Sequence, residues 1–369
     1  MSFAQEWGLV ALSQKGALQQ TGNTGFAFSL TGELDVTALE RSINDIIGRH
    51  EILRTAFRLS PDVWQSVTRA FRTRRATPVL RVAASVRSNV SVNIQTLDLQ
   101  QLAPAEQFHT VATAASSLYD VRFDYSSPPL LRVLLATLSV NTHWLILVVS
   151  HLIFDGLSRT IFHEELTALY KAHMLKERSP LPSLPRQFSD FAYWQRRQFS
   201  TEDRMKFADY WNSYYREYPP LSRRHLQKGA DCASPKMALS VLKFHTESAS
   251  HIRVFVRQQR ITLFTCFFTT LGVVLHLYTG QTRFGLATHF SNRTHPDIEH
   301  LIGDFATAYI VGFDLSGDPS VAELFYRVHV EVERCVKYSC LPPSLLSWYL
   351  SDASVGTTKN RKPSQLPPP

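Results

Sequence analysis

The segment LILVVSHLIFDGLSRTIF, residues 145–162, passes from an unbroken apolar run through a histidine and an Asp-Gly pair into a helical pattern. Its first part is continuously apolar and rich in β-branched residues, the signature of a strand buried on both faces. Beyond it, Leu157, Ile161, Phe162, Leu166, Leu169 and Tyr170 recur at helical spacing and give the next helix one apolar face. His151 and Asp155 therefore fall where a buried strand ends. Taken alone they have two readings: a satisfied core histidine followed by an aspartate that caps the helix, or an imidazole set out for chemistry.

Upstream, PPLLRVLLATL and HWLILVVS are joined by the polar SVNT, which predicts adjacent buried strands in a sheet covered on both faces. GFAFSL (25–30) alternates like a strand, and TGELD turns the chain. Val36, Leu39, Ile43, Ile46 and Ile47 then recur as a helix with Asp35 as a possible N-cap. ILRTAFR returns to strand-like alternation, VNIQTLDL reads as a strand, and residues from about 104 to 119 as a polar helix. The first half is thus a mixed sheet with helices packed on it. SPLPSLPRQ (179–187) concentrates prolines, which stop helices and extend the residues before them, and the domain boundary is placed there.

Beyond it come an aromatic-rich helical region (188–218), a polar link, a strand ALSVLKFH, two helices (248–278), strands RFGLATHF and TAYIVGFDL, and a helix near 320–338. The run LFTCFFTTLGVVLHLY (263–278) is shorter than the roughly 20 residues of a membrane span and is read as a helix buried on all sides. The expected organisation is a first lobe over 1–178, a linker at 179–187, a second, shortened lobe over 188–350, and a disordered tail over 351–369 ending in three prolines.

Composition narrows the function. With 369 residues, 44% of them hydrophobic, the chain can bury cores for two folded units. The net charge is +8, but the excess is local. Arg69, Arg72, Arg74, Arg75, Arg81 and Arg87 share one window without an acidic residue, and Lys359, Arg361 and Lys362 lie in the tail. A nucleic-acid groove built into the fold is not indicated, and the arginine window has two readings, a surface for an acidic partner or a solvated insertion. Cys232, Cys266, Cys335 and Cys340 form no CxxC pair and no zinc spacing, so reduced thiols, no metal and a cytoplasmic setting are expected. MSFAQEW lacks the pattern of a secretory signal.

Five segments then bear on function together: RHEILRTAF (49–57), SHLIFDGLS (150–158), FSDFAYWQ (188–195), ITLFTCFFTTLGVVLHLYTGQ (261–281) running on to FGLATHFSNR (284–293), and LIGDFATAYIVGFDLSG (301–317). In this order the chain resembles the condensation domain of nonribosomal peptide synthetases, a branch of the chloramphenicol-acetyltransferase-like acyltransferases. The second segment matches HHxxxDGxS with Ser150 at its first position. The fifth lacks the family's asparagine, Thr307 and Ala308 standing near its place. The resemblance implies an α/β fold of two chloramphenicol-acetyltransferase-like lobes, each a mixed sheet with packed helices, forming a V-shaped pseudo-dimer. A tunnel would admit two carrier proteins bearing substrates on phosphopantetheine, with no bound cofactor of the domain's own.

The chemistry implied is attack of an acceptor amine, or a hydroxyl, on a donor thioester by a freestanding acyltransferase that works with carrier proteins or other synthetase chains. A thioester is already activated, so the catalyst has to hold the nucleophile, take its proton and support the oxyanion. His151 is the expected proton acceptor. Asp155 either orients that imidazole or, as the resemblance implies, pairs with an arginine, Arg54 and Arg293 being the candidates. The Gly156 N–H is a possible oxyanion donor or part of a plain turn, with Gly156 adopting positive φ or admitting substrate. Ser150 and Ser158 support the turn, and Trp194 is expected to pack in the core. Two alternatives stand beside this: an acyl-CoA-dependent O-acyltransferase, and an inactive truncated module that only docks carrier proteins.

Overall fold

A computed structural model describes residues 1–13, 22–59, 82–198, 201–221, 241 and 243–338. Much of the arginine window, Cys232, Cys340, half of ALSVLKFH and the proline-ended tail lie outside the described residues. The chain divides into two compact units. The first takes in residues 1–200 and 291–306, and the second 201–290 and 307–350.

The first unit is built on a mixed four-stranded sheet in the order β1 (Asn23–Thr31), β6 (Thr142–Ser150), β5 (Leu131–Ser139), β4 (Gln95–Asp98). β1 and β5 both run antiparallel to β6, and β4 runs parallel to β5. The expected hairpin is therefore the centre of the sheet. Its alternation divides two cores: Val133, Leu135, Leu145, Leu147 and Val149 belong to the larger one, while Leu134, Ala136 and Ile146 meet Val111 of helix α3 (Pro104–Asp120) on the other face. The larger core takes the apolar stripes of α2 (Val36–Arg49) and α4 (Gly156–Leu175). Asp35 caps α2 by accepting from Ala38 N–H, as its position before the helical pattern predicts. Strands β2 (Thr55–Leu59) and β3 (Val82–Val86) form a separate antiparallel pair.

The boundary differs from the one expected. Helix α4 ends at Leu175, ahead of the prolines, with Lys176 in the left-handed conformation as its C-cap, and the chain stays in the first unit: α5 (Phe188–Arg197) buries Phe188, Phe191 and Ala192 in the same core. The segment 291–306 joins it as well, burying Ile298, Leu301, Ile302 and Phe305 there. Large apolar side chains, which bury best against existing core, outweigh the local signal of the prolines. A helix not foreseen in the sequence, α1 (Phe3–Ser13), packs against the turn at 151–153, and its Gln5 amide donates to Leu152 O at 3.0 Å.

RHEILRTAF earns its place structurally. Arg49 Nε and His50 Nε2 lie 2.8 and 2.9 Å from the two oxygens of Glu165 on α4. Burial opposes ionisation of Glu165, but the hydrogen bonds and charges of His50 and Arg49 outweigh it and hold the carboxyl below its ordinary range. Its contribution to stability is therefore present above the unfolded value and lost as pH falls through the lower folded one. Glu165→Gln should cost about 1–3 kcal/mol at neutral pH, and the gap to the parent chain should close in acid, as read by urea unfolding at a series of pH values.

The second unit centres on the antiparallel pair β7 (Arg283–Phe290) and β8 (Thr307–Asp314). Around it pack α6 (Thr201–Glu217), α7 (Thr246–Gln258), α8 (Leu263–Thr279) and α9 (Val321–Lys337). Trp211, Tyr214, Tyr218, Phe284, Tyr309 and Phe313 form its aromatic core. Helix α8 corrects one expectation. It buries Thr265, Cys266, Phe268, Thr269 and Gly272 but leaves Phe267 44% and Leu277 76% exposed. Its buried stripe is the one with small residues, because Phe313 of β8 lies where a Cβ on Gly272 would stand. Among the described residues no single helix is long and apolar enough to cross a membrane.

Candidate active site

Strand β6 ends at Ser150, and a short 3-10 turn, His151–Ile153, leads to α4. The turn is fixed through its backbone: Ser150 N–H donates to Leu130 O at 2.9 Å and His151 N–H to Gly22 O at 2.8 Å. Ser150 is buried, and its hydroxyl accepts from Leu152 N–H at 3.3 Å, capping the turn from the position the family gives to histidine. Leu152, Ile153 and Phe154 point into the core. The result is a rigid base from which the His151 side chain, 57% exposed, projects to solvent. The core-histidine reading of this residue is thereby set aside.

Asp155 spends its hydrogen bonds elsewhere than on the imidazole. It is buried and caps α4, Oδ1 accepting from Ser158 N–H at 2.9 Å and from the Ser158 hydroxyl at 2.8 Å. Arg293 grips both oxygens, Nη1 to Oδ2 at 2.7 Å and Nη2 to Oδ1 at 3.0 Å, with the paired side chains only 2% and 1% exposed. Phe305 N–H donates to Oδ2 at 3.1 Å. With five donors on two oxygens, this carboxylate is saturated as a structural group. Arg54 is not its partner: it donates instead to Gly48 O and Arg87 O.

Arg293 also donates to Leu301 O at 3.1 Å and lies over the Phe305 ring at 4.3 Å, so one guanidinium ties the start of α4 to the returning segment 291–306. Ser158 completes the tie, since its hydroxyl accepts from Gly303 N–H at 3.0 Å. Gly303 is glycine for want of room: a Cβ there would lie 2.1 Å from Phe188. Gly303→Ala should cost about 1–3 kcal/mol by overpacking and displace the neighbouring Asp304, lowering the urea midpoint.

Gly156, by contrast, has neither a positive φ nor any atom within 4 Å of where a Cβ would stand. Neither backbone strain nor packing among the described residues demands glycine there, and its N–H opens α4 at an exposed position. Trp194 corrects a further expectation: it is 48% exposed, meeting Phe191 at 6.0 Å between ring centroids, rather than packed in the core.

The residue that sequence reasoning missed is Asp304, inside the fifth segment but not singled out. Its Oδ1 lies 3.6 Å from His151 Nδ1. Burial pushes this carboxyl well above the ordinary range, the nearby charge of Asp155 pushes the same way, and Arg293 opposes them. Glu165 was the second omission. Its signal was visible, a charge on the stripe defined by Ile161, Phe162, Leu166 and Leu169. Among the described residues no group of three or more His, Cys, Asp or Glu side chains could hold a metal ion. A surface depression of the first unit lined by Asp45, Arg49, Leu169, Leu181 and Gln187 contains none of the motif residues.

A mixed sheet thus ends in an exposed imidazole above a buried aspartate locked to arginine, and the family model for the condensation domain matches residues 1–351. The chain belongs to the condensation-domain family. It is 31% identical over 336 residues to a linear gramicidin synthase of Brevibacillus parabrevis, covering 89% of this chain and 6% of that one. To chondramide synthase of Chondromyces crocatus it is 28% identical over 325 residues, covering 87% and 8%. The chain thus spans less than a tenth of the length of these relatives. Among solved structures, the first condensation domain of the calcium-dependent antibiotic synthetase superposes with TM-score 0.76 at 15% identity, covering 94% of this chain and 77% of that one. The X-domain from teicoplanin biosynthesis gives 0.68 at 22% identity, covering 95% and 73%. Both likenesses are of fold.

Proposed function

We propose that this chain is a condensation-type acyltransferase that joins an acyl group, held as a thioester on the phosphopantetheine of a carrier protein, to an amine or hydroxyl acceptor. The observation that carries this reading is the His151 imidazole, presented to solvent from a turn whose flanking residues Ser150 and Leu152 are buried and fixed. As the nucleophile adds to the thioester carbonyl, its proton passes to His151 Nε2. When the tetrahedral intermediate collapses, the C–S bond breaks and the departing sulfur takes that proton, leaving an amide or ester and a free carrier thiol. The Gly156 N–H, unencumbered at the start of α4, is the proposed donor to the oxyanion. Asp155 and Arg293 hold the turn and take no part in proton transfer, because their bonds to each other and to Ser158 and Phe305 leave no orienting role for the carboxylate. Carrier proteins or other synthetase modules are the partners this reading requires.

The test is transfer from a carrier protein loaded with an aminoacyl thioester to a soluble amine, followed by mass spectrometry, with the same acyl group on coenzyme A in parallel. The carrier donor should be used at least about tenfold faster, since remote binding energy from the carrier supports the reacting geometry. Preference for the coenzyme A thioester would replace this reading with the O-acyltransferase one. Binding of the carrier without turnover would make the chain a docking module.

A further inference from the structure

The imidazole of His151 has a carboxylate neighbour, and it is not the aspartate of its own motif. We infer that Asp304 is the positioning residue of His151: its carboxylate faces Nδ1, holds the proton on that nitrogen, and so leaves the Nε2 lone pair to the nucleophile.

Three observations combine. The first is place: Oδ1 of Asp304 lies 3.6 Å from Nδ1 of His151. The distance is longer than a hydrogen bond, and catalytic hydrogen bonds in unliganded sites commonly tighten when substrate binds. The second is rigidity. Asp304 is flanked by Gly303, whose N–H donates to the Ser158 hydroxyl at 3.0 Å, and by Phe305, whose N–H donates to Asp155. Phe305 in turn packs on Phe188 and Phe191 with ring centroids 4.8 and 4.7 Å away. The backbone on either side of Asp304 is therefore pinned, and the Arg293–Asp155 pair exists at the same spot to pin it.

The third is chemistry. The charged groups around Asp304 are Asp155, Arg293 and His151, and the first two are consumed by each other. The buried pair of His50 and Glu165 meets this segment where His50 Nδ1 accepts from Ile302 N–H. A buried carboxyl that burial and Asp155 both discourage from ionising gains most from a partner able to become a cation, and His151 becomes one when it takes the nucleophile's proton. The Nδ1 proton stays between ring and carboxylate throughout. Only the Nε2 proton is gained from the nucleophile and returned to the leaving sulfur.

The inference rests on the proposed acyl transfer for its purpose but not for its test. The chain is labelled with nitrogen-15 histidine, and the His151 ring nitrogens are identified by their absence from the spectrum of His151→Ala. Spectra of the parent chain and of Asp304→Asn are compared from about pH 5 to pH 9, the range over which imidazoles titrate. The neutral ring of the parent should be protonated on Nδ1. In Asp304→Asn, whose amide can donate to Nδ1, it should move toward the Nε2-protonated form. In turnover, the same variant should lose about tenfold to a thousandfold in kcat with KM changed less than about threefold.

A structural role makes the opposite stability prediction. The folded value of Asp304 is raised, so ionising it costs folding free energy at every pH above the unfolded value of 3.8. Asp304→Asn should therefore raise Tm at neutral pH, and the gain should vanish below that value. A parent ring protonated on Nε2, or a tautomer unchanged by Asp304→Asn, overturns the inference. If the variant fails to fold, the tautomer of the parent decides alone. Absence of turnover in every chain, with the tautomers as expected, would instead count against acyl transfer and leave the pairing standing.

Discussion

Arg293→Met should lower the stability of the first unit by about 3–5 kcal/mol, measured by urea unfolding, because it leaves a buried carboxylate without its cation. The two side chains are 2% and 1% exposed and share two hydrogen bonds of 2.7 and 3.0 Å. The loss is not local. Arg293 also holds Leu301 O and lies on Phe305, so its removal frees the segment that brings Asp304 to His151. Adding Asp155→Asn to Arg293→Met should recover part of the stability, since the penalty is that of the unpaired charge. A loss below about 1 kcal/mol for the single variant would show that the pair does not carry this end of the unit.

His151→Ala should reduce kcat by about 10²–10⁴-fold, the worth of a well-placed general base, with little change in KM. The side chain is 57% exposed and its turn is held through the backbone bonds of Ser150 and His151, so the variant should unfold at nearly the same urea concentration as the parent. Loss of activity with unchanged stability separates a chemical role from a packing one. An unchanged kcat would remove the imidazole from the reaction.

How much of this could be read from the chain depends on the range of the interactions. The hairpin of β5 and β6, the cap at Asp35 and the helix after the motif follow from patterns a few residues long. They lie where the sequence places them. The place of His151 at the strand end was equally legible. The choice between Arg54 and Arg293 was not, because it turns on a contact across 138 residues made by a segment that returns to the first unit. The same return hid Asp304: in sequence it is one acidic residue in LIGDFATAYI, and only the closure of 291–306 onto α4 and α5 sets it beside the imidazole. The proline segment misled for a related reason. Prolines report local chain stiffness, whereas the unit boundary is decided by where Phe188 and Phe191 find apolar neighbours. Helix α8 is apolar around its circumference, and its sequence does not say which stripe the sheet takes.

The central claim is that His151 stands where a carrier-borne acyl group arrives. It is tested most directly with a carrier protein whose phosphopantetheine thiol bears a bromoacetyl group, incubated with the chain and followed by peptide mapping. Alkylation of His151, suppressed by prior loading of the carrier with an ordinary acyl group, is the predicted result. Alkylation spread over other histidines at comparable rates, or none at His151, would contradict the account.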